Sequence, residues 1–111
     1  MRELYRFLFF RSGEPVIMLD SEGKVNGVNP AGESLLGCRS VAMAGRPIGS
    51  FLAEGCEALA EMRGMIGTGA EVKGKRVRVR PVSGREINAE ITAVPYRDSE
   101  GAEWWITLKP L

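Results

Sequence analysis

Residues 15–37, PVIMLDSEGKVNGVNPAGESLLG, decide the fold of this chain. The apolar run from Pro15 to Asp20 predicts a buried strand, and the polar, glycine-containing residues 21–23 predict a tight turn. Lys24 to Val28 then predicts a second short strand. The stretch therefore predicts a hairpin that leads directly into a helix.

Four residues of this stretch have the chemistry of turns and helix ends. The Asp20 carboxylate can accept hydrogen bonds from turn amides, and Gly23 provides the glycine of that turn. Asn29 can cap a helix whose first residue, Pro30, has no N–H to satisfy. Gly37 can take the left-handed conformation that ends the helix. We expect structural roles for Asp20, Gly23, Asn29 and Gly37.

The first strand is apolar on both faces. Val16 and Met18 point to one side, and Ile17 and Leu19 point to the other. Such a strand is buried on both sides and lies centrally in a sheet. One face is expected to carry helices and the other a separate cover.

The last third of the chain predicts an antiparallel meander of three strands. Arginines alternate with valines over residues 76–80, and acidic or polar residues alternate with small apolar ones over residues 86–93. Residues 104–108 form the closing strand, in which Trp105 and Thr107 share one face. The sequence leaves open whether that face or the opposite one points inward.

The basic residues of the first meander strand could indicate a phosphate site, but a solvated sheet face is the better interpretation. If the turn holds an odd number of residues, Arg80 faces Glu86 and Arg76 faces Glu90. Opposite charges paired in this way contribute about 0.2–1 kcal/mol per pair. We expect no direct binding of nucleic acid.

The middle of the chain predicts two kinds of helix. Glycines and a proline within residues 38–51 favour short turns and loops. A longer helix follows, with apolar residues at helical spacing: Leu52, Cys56, Leu59, Met62 and Ile66.

Residues 1–11 predict a short amphipathic helix, because Leu4, Phe7 and Leu8 fall on one helical face. This face can cover the outer surface of the sheet in its own subunit, or it can pack against a second copy of the chain. The two interpretations are compatible, and both stay open.

The order of these elements resembles a PAS domain. The resemblance rests on the strand that ends in Asp20, the glycine turn, the second strand, Asn-x-Ala at residues 29–31 and Leu-Leu-Gly at residues 35–37. It covers nearly the whole chain, although Cys38 stands where the family often has an aromatic residue. It implies an α+β domain at residues 12–111 with a five-stranded antiparallel sheet, helices on one face and the amphipathic helix of residues 1–11 on the other.

By the same resemblance, we expect a sensory or regulatory module of a larger bacterial signalling protein. Such proteins include histidine kinases, cyclic-dinucleotide enzymes and transcription regulators. Signalling would proceed through homodimerisation, with an interface at Leu4, Phe7, Leu8 and Trp105, and through an output domain of the parent protein. A flavin-binding redox sensor and a purely structural dimerisation module are the alternatives.

Small residues on the second meander strand point to a possible ligand pocket. Ala89 and Ala93 leave space beneath the helices, which core side chains or a small apolar molecule can fill. The candidate pocket residues are Met43, Ile48, Phe51, Leu59, Met62, Ile66, Ala89, Ile91 and Ala93.

Composition excludes several classes of chemistry. The 111 residues include no histidine, which excludes His-ligated haem and His-dependent nucleophilic catalysis. The two cysteines have neither a zinc-site spacing nor the Asn-Cys-Arg-Phe-Leu-Gln motif of flavin-bonding photoreceptors, so we expect no metal and no covalent flavin. We favour no tightly bound cofactor, with non-covalent flavin left open, and no enzymatic activity.

Charge and hydropathy predict a domain that neither enters a membrane nor attracts nucleic acid through its overall charge. A formal charge of +1, from 15 basic and 14 acidic residues, gives no overall field toward nucleic acid or anionic lipid. The apolar run near the N-terminus is too short to span a bilayer. We expect a cytoplasmic domain without membrane insertion, excised from a longer protein.

Overall fold

The computed structural model describes residues 11–53, 64, 72–82, 84–96 and 103–111. These residues form one five-stranded antiparallel sheet, as predicted. Its strands are β1 (Val16–Leu19), β2 (Val25–Val28), β3 (Val72–Val79), β4 (Ile87–Pro95) and β5 (Trp104–Pro110). Between β2 and β3 lie α1 (Pro30–Leu36), α2 (Ser40–Met43) and a 3-10 helix (Ile48–Phe51). The predicted helix at residues 1–11 falls, except for Arg11, outside the described residues.

The strands follow the spatial order β2-β1-β5-β4-β3. The first strand therefore lies between β2 and β5, and Ile17 is opposite both Val28 and Ile106. All four residues of β1 are buried, with at most 2% of their surface exposed. This confirms the prediction of a strand that is apolar and buried on both sides.

The two faces of the sheet bury different sets of residues. The inner face and the helices share one large core, to which β1 contributes Ile17 and Leu19. On the outer face, Val16 and Met18 pack with Trp105 in a smaller cluster. The inner-face residues of β3, β4 and β5 are Val77, Val79, Ala89, Ile91, Ala93, Trp104, Ile106 and Leu108.

The orientation of β5, which the sequence left open, follows from its pairing with β1. Trp104 is opposite Leu19, and Ile106 is opposite Ile17. Residues that are directly opposite in an antiparallel pair point to the same face, so Trp104 and Ile106 turn inward. Trp105 is consequently on the outer face.

The prediction that Leu52 begins a long helix is wrong. Leu52 has an extended backbone and forms a bridge with Val79. The neighbouring Ala53 N–H donates to the Arg78 carbonyl over 2.7 Å, and the Arg80 N–H donates to the Phe51 carbonyl over 2.7 Å. Leu52 is 1% exposed, so its apolar side chain does reach the core, but the edge of β3 satisfies the backbone around it. The other residues of that predicted helical face lie outside the described residues.

Candidate functional site

Asn29 connects three segments at the start of α1. Its Oδ1 accepts from the N–H groups of Gly32 and Val16, each over 2.8 Å. Its Nδ2 donates to the Glu14 carbonyl over 2.8 Å and to the Ser12 carbonyl over 3.5 Å. Asn29 thus caps the helix and also fixes the chain segment that enters β1. Among the described residues it is the one polar residue that is fully buried.

The turn between β1 and β2 is stabilised by Asp20. Its Oδ1 accepts from the N–H groups of Glu22 and Lys24, over 2.8 and 3.0 Å. Gly23 has a φ of 80°, a conformation in which a glycine is unstrained. The Gly23 carbonyl accepts from the Ile48 N–H over 3.1 Å, so the turn also positions the 3-10 helix.

Gly37 ends α1 with a φ of 69°, and its N–H donates to the Glu33 carbonyl over 2.8 Å. Two contacts beyond it join α1, α2 and β2, and sequence reasoning missed both. The Glu33 Oε2 accepts from the Ser40 N–H over 2.7 Å. The Ser40 Oγ in turn accepts from the Val28 N–H over 2.9 Å. No local pattern signals this pair, because a capping-box glutamate follows its serine, whereas Glu33 precedes Ser40.

The described part of the predicted ligand pocket lies in the large core. Ala89, Ile91 and Ala93 line the inner face of β4, and each is 0% exposed. Three other predicted pocket residues, Met43, Ile48 and Phe51, lie on the helices and belong to the same cluster. Leu59, Met62 and Ile66, which would complete the pocket, are outside the described residues. The walls seen here are apolar, so a molecule bound against them would be recognised by buried apolar area and shape.

Metal and thiol chemistry have little support in the described part of the chain. None of its Cys, Asp and Glu residues form a group of three or more that could hold a metal ion. Cys38 is a free thiol that is partly buried against the edge of the large core. The buried Trp104 is on the inner face, whereas Trp105 is on the outer one, so of the two tryptophans Trp104 is the one that could stack on a planar ligand inside the pocket.

The outer face of the sheet has an apolar half over β1 and β5. Trp105 is half-buried there beside the buried Val16 and Met18. The Tyr96 ring meets the Trp105 ring edge to face, with centroids 5.6 Å apart and an interplanar angle of 74°. The other residues of the predicted dimer interface, Leu4, Phe7 and Leu8, lie outside the described residues.

The other half of the outer face, over β3 and β4, is charged. Arg76 is opposite Glu90 in the register, as predicted. Arg80 Nε lies 3.4 Å from one oxygen of Glu86, and Arg78 Nη1 lies 3.7 Å from the other. All three arginines and Glu86 are exposed, so these pairs contribute little to stability.

None of the helices in the described part of the chain has the length and apolar character that crossing a membrane requires.

Solved structures with the same fold include PAS domains and a LOV protein. The PAS domain of an HTR-like protein from Haloarcula marismortui superposes with a TM-score of 0.83 at 16% identity, over 99% of this chain and 91% of that one. A domain of a sensory box sensor histidine kinase/response regulator from Geobacter sulfurreducens gives 0.76 at 24% identity, over 96% and 91%. A LOV protein from Rhodobacter sphaeroides gives 0.81 at 20% identity, over 99% of this chain and 66% of that one.

No curated protein sequence matches the chain. A family model described as the PAS fold matches residues 3–111, which is almost its full length. The five-stranded sheet, the helices on its inner face and the capped α1 agree with that match. The chain therefore belongs to the PAS family.

Proposed function

We propose that this chain is a non-catalytic sensory and regulatory module of a larger signalling protein, and that it acts as a homodimer. Its membership of the PAS family supports a sensory role. The absence of histidine from the sequence supports a role without acid–base catalysis. The parent protein would be a histidine kinase, a cyclic-dinucleotide enzyme or a transcription regulator that works in the cytoplasm.

One observation carries the dimer proposal: the sheet has a second apolar cluster on its outer face. A soluble sheet commonly has one face in the core and one in water. Here Val16 and Met18 are buried on the outer side, and the large Trp105 ring keeps part of its surface exposed beside them. Tryptophan is enriched in the centres of protein interfaces because it buries a large area with few rotamers. Because Val16 and Met18 are already covered within the single chain, the exposed part of Trp105 is the surface on which a second subunit, with the Leu4, Phe7 and Leu8 face of its predicted N-terminal helix, would pack.

Binding at the inner face is a second candidate function, favoured by the two alanines of β4. Ala89 and Ala93 are on either side of Ile91 and present little side-chain volume to the helices. A small apolar molecule held there would act on signalling only through unequal affinity for two states of the domain. If the bound molecule is a flavin, the domain is a redox sensor and the purified protein absorbs visible light. A colourless preparation would count against this alternative.

Light scattering on matched variants tests the dimer. Trp105→Glu and Asn88→Glu each add one negative charge to the outer face, the first in the apolar half and the second in the charged half. We expect Trp105→Glu to lower the molar mass toward that of one chain and Asn88→Glu to leave the dimer mass unchanged. Thermal melts of both variants check that each remains folded. A Trp105→Glu protein that stays dimeric would refute this interface.

Removing residues 1–11 separates the two interpretations of the helix that the sequence predicts there. If that helix contributes to the interface, the shortened protein stays folded and its molar mass falls. An unchanged molar mass would show that the helix does not hold the dimer together.

A further inference from the structure

We propose that the charged half of the outer face binds an acidic, extended segment of a partner protein. The surface consists of Arg76 and Arg78 on β3 and of Arg80 directly after that strand, and we call it the arginine face. This proposal is independent of dimerisation, because the arginine face lies beside the apolar half of the sheet and not on it.

The first step is an excess of positive charge. On this side of the sheet four basic residues, Arg76, Arg78, Arg80 and Lys109, accompany two acidic ones, Glu86 and Glu90. Four minus two leaves a local charge of +2, although the whole chain carries only +1. The arginine face is therefore more positive than the rest of the molecule.

The second step is incomplete pairing within the face. Arg78 and Arg80 share the single carboxylate of Glu86. Arg76 is in register with Glu90 but forms no ion pair with it, or with any other group of the described residues. Carboxylates from another molecule can therefore reach guanidinium groups that this chain leaves partly or wholly uncompensated.

The third step is the spacing. Arg76 and Arg78 occupy alternate positions of β3, so their Cα atoms are about 6.6–6.8 Å apart, and Arg80 follows the last residue of the strand. An extended peptide with an acidic residue at every second position has the same spacing. The chain provides its own example, because β4 presents Glu90 to Arg76 and Asn88 to Arg78, and Glu86 follows toward Arg80.

The contact is with side chains, because the adjacent backbone edge is already in use. The Arg78 carbonyl and the Arg80 N–H are bonded to Ala53 and Phe51, which closes that part of the β3 edge. Arg76 and Arg78 instead line an open groove on the sheet surface, together with Asn88 and the exposed Leu111. A peptide in this groove meets two guanidinium groups, an amide and an apolar side chain.

Charge also decides against two other occupants. A second copy of the chain would place one surface of charge +2 against another, which is repulsive. Nucleic acid would bring phosphates near Glu86 and Glu90, and β3 and β4 contain no aromatic residue on which a base could stack. An acidic protein segment satisfies the arginines without either cost.

Fluorescence anisotropy of the full chain with labelled peptides tests the proposal. The probe is a fluorescein-labelled Glu-Ser-Glu-Ser-Glu-Ser-Glu peptide, and its control has the same composition with the four glutamates in a block. The variants are Arg76→Glu, in the groove, and Arg39→Glu, which makes the same change of charge at an exposed residue before α2. A twelve-residue oligothymidine is the nucleic-acid probe.

We expect the alternating peptide to bind about threefold tighter than the block peptide, because its carboxylates match the arginine spacing. Arg76→Glu should weaken binding about tenfold, and Arg39→Glu should leave it within about twofold. Equal losses in the two variants would show that only overall charge matters and would overturn the proposal. Equal affinity for the two peptides, or tighter binding of the oligothymidine than of the peptide, would also overturn it.

Discussion

Replacing Asn29 by alanine should destabilise the domain more than any other single polar truncation in its described part. The substitution leaves the N–H groups of Val16 and Gly32 without their acceptor and the Glu14 carbonyl without its close donor. An unsatisfied buried donor costs about 1–3 kcal/mol, and loss of an N-cap costs about 0.5–2 kcal/mol. Because water can reach part of this site in the variant, we expect a total loss of about 3 kcal/mol. That is a large part of the 5–15 kcal/mol typical of a whole domain.

Urea unfolding followed by circular dichroism measures this loss, and two control variants interpret it. Asn29→Asp keeps an acceptor for Val16 and Gly32 but brings a carboxylate against the Glu14 carbonyl, so an intermediate loss of about 1–2 kcal/mol is expected. Asn88→Ala removes an exposed amide and should change the free energy of unfolding by less than about 0.5 kcal/mol. If Asn29→Ala costs no more than Asn88→Ala, the view of Asn29 as the joint between β1 and α1 is refuted.

Three further substitutions test the core and the surface. Gly32→Ala would be favourable in an exposed helix but should destabilise this domain, because the new Cβ would stand 2.5 Å from Val28 Cγ1. Gly13→Ala is the control, because a Cβ there would have no atom within 4 Å. Equal melting temperatures of the two variants would contradict the close packing at Gly32. Ala93→Leu should cost about 1–3 kcal/mol in denaturant unfolding if side chains fill the core, and an unchanged stability would reveal free space beneath β4. Glu86→Gln should cost less than about 1 kcal/mol, since its arginine pairs are exposed, and a larger loss would mean a stronger network than the distances indicate.

The parts of the fold that follow from strict alternation could be predicted from the sequence. Strand residues alternate between two faces, so the apolar residues of β1 fixed a doubly buried strand before any pairing was known. The same rule placed Arg76 opposite Glu90 once the turn length was assumed. Both ends of α1 were predictable because asparagine caps the first free N–H groups, proline suits the first helical position and glycine takes the left-handed conformation that ends the helix.

The parts that depend on distant partners could not be predicted. β5 carries a tryptophan on each face, and only its pairing with β1 determines that Trp104 points inward. Leu52 has the apolar spacing of a helix, but hydrogen bonds to β3, which is distant in sequence, hold its segment extended. Asn29 was expected to cap α1, while its bonds to Val16 and Glu14 depend on how the preceding segment passes over it.

The contacts of the candidate site also include some that follow from strand alternation and others that depend on distant partners. The inner-face alternation of β4 predicted Ala89, Ile91 and Ala93 as neighbours, and the large core contains all three. The Glu33 contact with Ser40 had no sequence signal, because it joins two helices through a carboxylate that no capping pattern uses. Whether a ligand enters this core stays a prediction for binding experiments.

Native mass spectrometry of the whole chain tests the proposed function most directly, because it reports the oligomer and any bound species in one spectrum. The chain has a mass of 12.1 kDa, so a dimer without ligand would appear at twice that value. We expect that doubled mass with no added component, and the mass of a single chain for Trp105→Glu. The spectrum should be recorded at about 10 μM protein, a concentration at which a dimer with a micromolar or lower dissociation constant is largely formed. A single-chain mass for the unaltered protein under these conditions would contradict the dimeric module.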